Sequence, residues 1–168
     1  LFDFNGINHD GARFDDQKLI HMNMVYLREL PIETFVEMAR PTLDSSGVLK
    51  GEVAPVYLRR VLTLCQEKVR TFDELPAYVG YFFCENFPID EKAKRKLLSK
   101  GQPLVRLRQF LGELEGMRKF DEAEVEAAVK RLSEEHRVYT GEYIHAVRMA
   151  VTGTPSGPGI YQILEVLD

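Results

Sequence analysis

The residues with the most chemical content lie together, in the stretch 140–167, TGEYIHAVRMAVTGTPSGPGIYQILEVL. Arg148 sits near the end of one helical pattern, and a Gly-Pro-Gly turn leads into a second. A helix that starts after such a turn presents unpaired backbone N–H groups, which favour anions and hydrogen-bond acceptors. One guanidinium and one helix N-terminus therefore face a common space, a pairing that suits an anionic or hydrogen-bonding ligand. The same residues also read as an ordinary helix–turn–helix corner, with Arg148 as a cation complementing the C-terminal dipole of its own helix.

Reactive chemistry has no comparable constellation. The chain has no GxGxxG after a strand, no GxxxxGK[ST], no GxSxG elbow and no HExxH. His9, His21, His136 and His145 are scattered without partnered carboxylates, so general acid–base work has no evident apparatus. Cys65 and Cys84 form no CxxC and read as reduced thiols of a cytosolic chain, not as a zinc site or a disulfide. From residues alone the chain describes a soluble all-helical domain that binds something and belongs to a larger protein. Leu1 in place of Met points to a fragment or processed piece.

The elements that must hold Arg148 follow from local signals. Thr140 is placed to cap the first helix, with Ile144, Val147 and Val151 on one face. Gly153 stands where a helix needs a residue tolerant of a left-handed backbone. Pro158 suits the first position of the next helix, whose apolar face is Ile160, Ile163, Leu164 and Leu167.

The preceding chain reads as a succession of short helices. Residues 1–14 are turn-forming. Asp15 or Asp16 caps a helix to about Leu30, with Leu19, Met22, Tyr26, Leu27 and Leu30 on one stripe. Pro31 opens the next, with Ile32, Phe35, Val36 and Ala39 inward, and Pro41 followed by DSSG ends it. A helix over 54–69 points Leu58, Val61, Leu62 and Cys65 inward. Thr71 and Glu74 form a capping-box pattern before Pro76, Val79, Phe82 and Phe83. Asp90 caps a basic helix that Gly101 stops. Pro103 starts another, with Leu104, Leu107, Leu111 and Leu114 inward, and Gly116 ends it. Asp121 and Glu124 form a capping pattern, and Phe120 and Val125 a hydrophobic staple, for a helix to Glu135. No segment alternates like a strand, so the fold class is all-α.

Bulk properties narrow the function. The 168 residues are 45% hydrophobic and 29% charged, enough for one domain or two small ones. No apolar run approaches a membrane span. A net charge of −4 argues against a sequence-blind nucleic-acid binder, but not against a local site that reads a few bases. Cations concentrate at 92–112, where no acidic residue interrupts Lys92, Lys94, Arg95, Lys96, Lys100, Arg106 and Arg108. Such a tract is either a solvated helix face or a binding surface.

Four stretches carry a likeness to a known family: GARFDDQKLIHMNMVYLREL, VRTFDELPAYVGYFF, FPIDEKAKRKL and, most specific, VRMAVTGTPSGPGIYQILEVL. Together the sequence resembles the C-terminal half of bacterial-type glutamyl-tRNA synthetases, class I aminoacyl-tRNA synthetases. The resemblance implies two consecutive small helical subdomains forming an anticodon-binding cage. It divides the chain into a stem-contact segment at 1–30, a first anticodon-binding subdomain at 31–80 and a second at 81–168. The family's nucleotide-binding core, with its HIGH-type and KMSKS-type signatures, is not in this sequence. The resemblance therefore implies a non-catalytic part that grips tRNA-Glu, in a cytoplasmic, monomeric enzyme with no membrane association. The catalytic core of the same chain would use ATP and glutamate, with Mg, and this piece would hold no cofactor.

The likeness also assigns roles. Lys18, Asn23 and Tyr26 fall in the segment against the tRNA stem. Lys68 and Lys130 match basic positions near the anticodon, Arg148 matches an arginine that contacts an anticodon base, and Gly157, Pro158 and Ile160 match the turn around it. Lys68 stands where relatives can carry arginine, and lysine makes no planar two-pronged contact. His21 stands where tryptophan is frequent and Met24 where glycine is. Two other readings fit the residues: a helical protein–protein interaction module on the same scaffold, and a regulatory domain binding a small anion at the Gly-Pro-Gly turn.

Overall fold

The computed structural model describes residues 15–167, and all of its regular elements there are helical. The turn-forming reading of residues 1–14, and His9 with it, lies outside the described residues. The helices are α1 (Asp16–Glu29), α2 (Ile32–Ser46), α3 (Pro55–Gln66), α4 (Leu75–Phe83), α5 (Glu91–Leu98), α6 (Pro103–Glu115), α7 (Glu122–Glu135), α8 (Thr140–Thr152) and α9 (Ile160–Leu167), with a 3-10 turn at Phe72–Glu74 before α4.

Aspartate sets three of the starts. Asp15 accepts from the N–H groups of Gln17 and Lys18, Asp90 from that of Ala93, and Asp121 from that of Glu124. Each such cap contributes about 1 kcal/mol by satisfying a donor that the helix cannot. Phe120 and Val125 both pack into the core beside the third cap, as a staple requires.

Helices α2, α3 and α4 pack on one another, as do α6, α7 and α8. Helix α9 ties the two groups together, lying on α7 and reaching α3 and α8, while α5 leans on α8. The core runs through both groups, from Phe35, Leu43, Leu58 and Leu62 to Val125, Tyr143, Ile160 and Ile163. Glu165 reinforces the junction. Its carboxylate accepts from the N–H of Glu122 at the start of α7 (3.0 Å), and its carbonyl accepts from Arg60 of α3 (3.2 Å). Burial within α3 pushes the Cys65 thiol up to about 12, and Cys65 and Cys84 are both free.

Several local expectations give way to tertiary packing. Pro41 does not end α2; the helix runs on to Ser46 and stops at Gly47, φ 69°. An interior proline costs about 3 kcal/mol. Here Phe35 and Ala39 before it and Leu43 after it are all fully buried, so both halves are held to one core. In α6 the inward positions are Pro103 and Phe110 with partly buried Leu107 and Leu114, while Leu104 and Leu111 are exposed. Thr71 makes no capping bond; Glu74 turns back onto the N–H and guanidinium of Arg70. Thr140 is the first residue of α8 rather than its cap, which is Tyr139. On α9, Leu167 is exposed and Val166 is buried.

Helix α1 departs most. Of its stripe Leu27 is buried and Leu30 partly so; Leu19, Met22 and Tyr26 are exposed, as is Val25 beside them. Its C-terminal end is fastened by polar contacts to the chain after α3. Gln66 donates to the carbonyls of Leu27 and Leu30, Arg28 donates to that of Glu67, and Asn23 donates to that of Arg70.

Candidate nucleic-acid interface

The residues around Arg148 form a small built site. Helix α8 ends because Gly153 takes φ 70° and donates to the Met149 carbonyl at 3.1 Å. A β-carbon at Gly153 would stand 2.6 Å from the Pro88 carbonyl oxygen, so the 87–89 segment lies directly on this glycine. The Asp90 N–H donates to the Gly153 carbonyl at 2.8 Å and locks the two segments together.

Hydroxyl groups then set the turn. Thr152 donates to the Arg148 carbonyl (2.9 Å), Thr154 donates to the Ser156 carbonyl (2.7 Å), and the Thr154 N–H donates to Thr152 Oγ1 (3.2 Å). Gly157 follows at φ 152°, a conformation that favours glycine, and a β-carbon there would stand 3.4 Å from Arg148 Nη1. Pro158 precedes α9 instead of opening it: the first helical residue is Ile160, and the Ile163 N–H donates to the Gly159 carbonyl.

Opposite the turn, α4 presents Ala77, Tyr78 and Tyr81. With Thr154, Ser156, Gly157 and Pro158 they line a cleft of about 200 Å³. Tyr81 is 8% exposed, and its ring packs on Phe82 and Phe87 at centroid distances of 4.5 and 6.3 Å. Its hydroxyl and Arg148 Nη1 are both buried and without a hydrogen-bond partner. Burial pushes the Tyr81 hydroxyl upward, with Cys65 adding to the rise and the charge of Arg148 opposing it. Burial also lowers Arg148, with Tyr81 opposing. The guanidinium nevertheless remains charged at neutral pH.

Leaving two buried donors unmatched is costly, about 1–3 kcal/mol each. The aromatic and proline walls of the cleft suit a flat ring, and Arg148 lies behind Gly157 at its edge. Among the described residues no carboxylate pairs with Arg148.

The structure brings Arg148, Gly157 and Pro158 together. Ile160 stands next to them in sequence, but its side chain is in the core at 4% exposure, leaving only its backbone for the turn. The other expected positions are not in the cleft. Lys68 is exposed after α3, and Lys130 is paired with Glu126 at 3.0 Å on α7. On α1, Lys18 and Tyr26 are exposed, while the Asn23 amide is engaged with the Arg70 carbonyl. Sequence reasoning passed over Tyr81 and Tyr78. Their signal was a polar tip on an otherwise apolar helix, which must find a partner or stay unmatched.

Comparison with known proteins bears on this geometry. A family model described as anticodon binding domain matches residues 34–168. The glutamate–tRNA ligase of Methylacidiphilum infernorum is 34% identical over 167 residues, which is 99% of this chain and 37% of that protein. That of Thermus thermophilus is also 34% identical, covering 99% and 35%, and that of Elusimicrobium minutum is 31% identical, covering 99% and 34%. The chain thus spans about a third of the length of the curated relatives it matches. Two solved structures share the fold. One is a glutamate tRNA ligase from Elizabethkingia meningosepticum in complex with its amino acid, at TM-score 0.76 and 20% identity over 99% of this chain and 32% of that one. The other is a glutamate-tRNA synthetase from Elizabethkingia anophelis, at TM-score 0.74 and 22% identity, with the same coverage.

Proposed function

The chain belongs to the anticodon-binding domain family, and from that we propose that it is the tRNA-gripping part of a glutamate–tRNA ligase. Its ligand is the anticodon arm of tRNA-Glu. It does no chemistry itself; the nucleotide-binding core of the longer protein attaches glutamate using ATP, with Mg. The enzyme works in the cytoplasm as a monomer.

The observation that carries this reading is the unpartnered Arg148 Nη1, buried beside Gly157 and next to the unpartnered Tyr81 hydroxyl. Sequence-specific RNA recognition targets unpaired bases, which can be splayed out, stacked on aromatic rings and hydrogen-bonded along their edges. An anticodon base entering between Tyr78, Tyr81 and Pro158 would place its carbonyl edge on Arg148. Gly157 and Pro158 shape the mouth, and Ile160 contributes through its backbone. Lys68 and Lys130 supply further cations toward the arm; Lys130 would exchange Glu126 for phosphate. Lys18, Tyr26 and the Asn23 region face the stem.

We divide the chain for this purpose into the stem segment 1–30 and two anticodon-binding subdomains. The boundary at 80/81 falls inside α4, whose packing keeps it with α2 and α3, so the working division follows Phe83. The exposed Leu19, Met22 and Val25 on α1 are what a helix lying against the catalytic core would present. A protein–protein interaction module would present such a stripe too, but it gives no reason for an unpaired guanidinium beside a cleft.

The test uses the full-length protein carrying Arg148→Ala, with tRNA-Glu and anticodon-substituted transcripts. Affinity for tRNA-Glu is expected to fall about 10- to 100-fold, the equivalent of one lost two-donor base contact, and the preference among anticodons to shrink with it. Unchanged affinity and unchanged preference would remove Arg148 from the interface.

A further inference from the structure

A second cavity lies across the same turn from Arg148. It has a volume of about 650 Å³ and is bounded by α5, the start of α6 and α8. The turn itself is the wall between the two spaces: Thr154, Ser156, Gly157 and Pro158 line the cleft, and Pro155 lines the larger groove. On α8 the division is as sharp, with Arg148 beside the cleft and His145 and Met149 on the groove.

The groove gathers part of the basic tract. Lys92 and Lys96, four residues apart on α5, and Lys100, just beyond its end, all line it. All three are exposed and have no ion-pair partner among the described residues. Lys94, which does not line the groove, is paired with Glu91 at 3.2 Å. Two carboxylates also reach the groove: Asp90 caps α5 through the Ala93 N–H, and Glu142 accepts from Arg106 at 3.1 Å. Against them stand Lys92, Lys96, Lys100 and Arg106, so net positive charge rims the groove, while Leu97, Pro103, Met149 and Pro155 supply an apolar floor.

Cations along a rim over an apolar floor match a nucleotide strand. Ammonium groups follow phosphates without reading sequence, and apolar or aromatic surfaces take base faces. We propose that this groove is a second RNA subsite, holding the sugar–phosphate backbone of nucleotides next to the one that enters the Arg148 cleft, so that the bound strand crosses the 154–158 turn. The proposal rests on the tRNA-binding reading and deepens it. The groove supplies affinity that is blind to sequence, and the cleft supplies preference.

The experiment is the salt dependence of tRNA-Glu binding to the full-length protein. The variant combines Lys92→Ala, Lys96→Ala and Lys100→Ala, three exposed positions, with circular dichroism to verify the fold. Losing three single-strand phosphate contacts should lower the slope of log K against log[salt] by about 2. Affinity near physiological salt should fall roughly tenfold, and the preference among anticodons should persist. Lys94→Ala should leave the slope unchanged. A folded triple variant with the parent's slope and affinity overturns the proposal, as does an equal loss from Lys94→Ala, which would mean general surface charge. Titration with AMP forms a separate arm: loss of AMP binding in the triple variant without change in the tRNA slope would assign the groove to free nucleotides and refute the strand path. A silent Arg148→Ala beside a reduced slope in the lysine variant would leave the groove standing and remove the base reading. No tRNA affinity in the parent protein would sink both.

Discussion

The two ends of α8 each hold a shielded arginine, and the protein treats them in opposite ways. At the N-terminal end Arg106, reaching over from α6, is 12% exposed. It donates to the Glu142 carboxylate and to Gln109, and lies 5.6 Å from the centre of the Tyr143 ring. Two of its nitrogens and its face thus have partners. At the C-terminal end Arg148 has a buried nitrogen with none. On the proposed reading, the difference separates a cation that serves the fold from one that meets a ligand. A cation that only stabilises is matched inside the protein, because an unmatched one costs free energy and returns nothing to the fold.

The sharpest way to break this comparison is to disturb what holds the C-terminal end. Gly153→Ala forces a β-carbon to within 2.6 Å of the Pro88 carbonyl at a backbone φ of 70°. Left-handed strain and overpacking together should cost about 3 kcal/mol. Urea unfolding of the full-length protein should show it as a lowered midpoint. A midpoint within error of the parent would mean that the 87–89 segment does not clamp this turn.

Arg106→Met tests the other end. It leaves the Glu142 carboxylate and the Gln109 amide without their partner, and Gln109 also accepts from the Tyr143 hydroxyl at 2.7 Å. A loss of about 2 kcal/mol is expected, since hydrogen bonds to charged groups are worth roughly 1.5–3. Binding of tRNA by the folded fraction should keep its preference among anticodons, while affinity falls several-fold because Glu142 then faces the basic groove without its counter-charge. Intact stability would show that Arg106 is not the structural counterpart described here.

The sequence made one side of this comparison legible and hid the other. Arg148, Gly153 and the Gly-Pro-Gly turn could be picked out because one short stretch carries all of them. The all-helical fold was equally open to reading, since Asp15, Asp90 and Asp121 each announce a helix within three residues. Tyr81 was not legible as a site residue. It lies far from Arg148 in sequence, and only the docking of α4 against the 154–158 turn unites them. The engagement of Asn23 with Arg70 was hidden for the same reason. Pro41 and Thr140 misled because local propensity is weak beside burial: three core side chains keep α2 helical through its proline. On α6, a leucine repeat suggested one face, and the bulk of Phe110 chose the neighbouring one.

Arg148→Met carries the comparison to its decisive point. The thioether chain keeps most of the volume and removes a half-buried, unmatched charge. Replacing such a charge by an apolar side chain is often neutral or stabilising. The urea midpoint should therefore stay level or rise, where Arg106→Met lowers it, while tRNA affinity falls by about 1–3 kcal/mol. If Arg148→Met instead destabilises the protein as much as Arg106→Met does, then Arg148 serves the fold, and the contrast between the two ends disappears.

Tyr81→Phe is the smallest change, and it asks whether the second unmatched donor belongs to the same site. The ring keeps its packing on Phe82 and Phe87, and only a hydroxyl without a partner is removed. Deleting a buried polar group that bonds nothing should leave stability unchanged or raise it slightly, by less than about 1 kcal/mol. If the hydroxyl donates to the same base edge as Arg148, tRNA affinity should drop several-fold. The loss should also be smaller in an Arg148→Met background than in the parent, because two donors to one acceptor couple when they are removed together. Full additivity in that double-mutant cycle would mean that the two groups act on different parts of the RNA. The cleft would then be a packing feature beside the arginine and not a single pocket for one base.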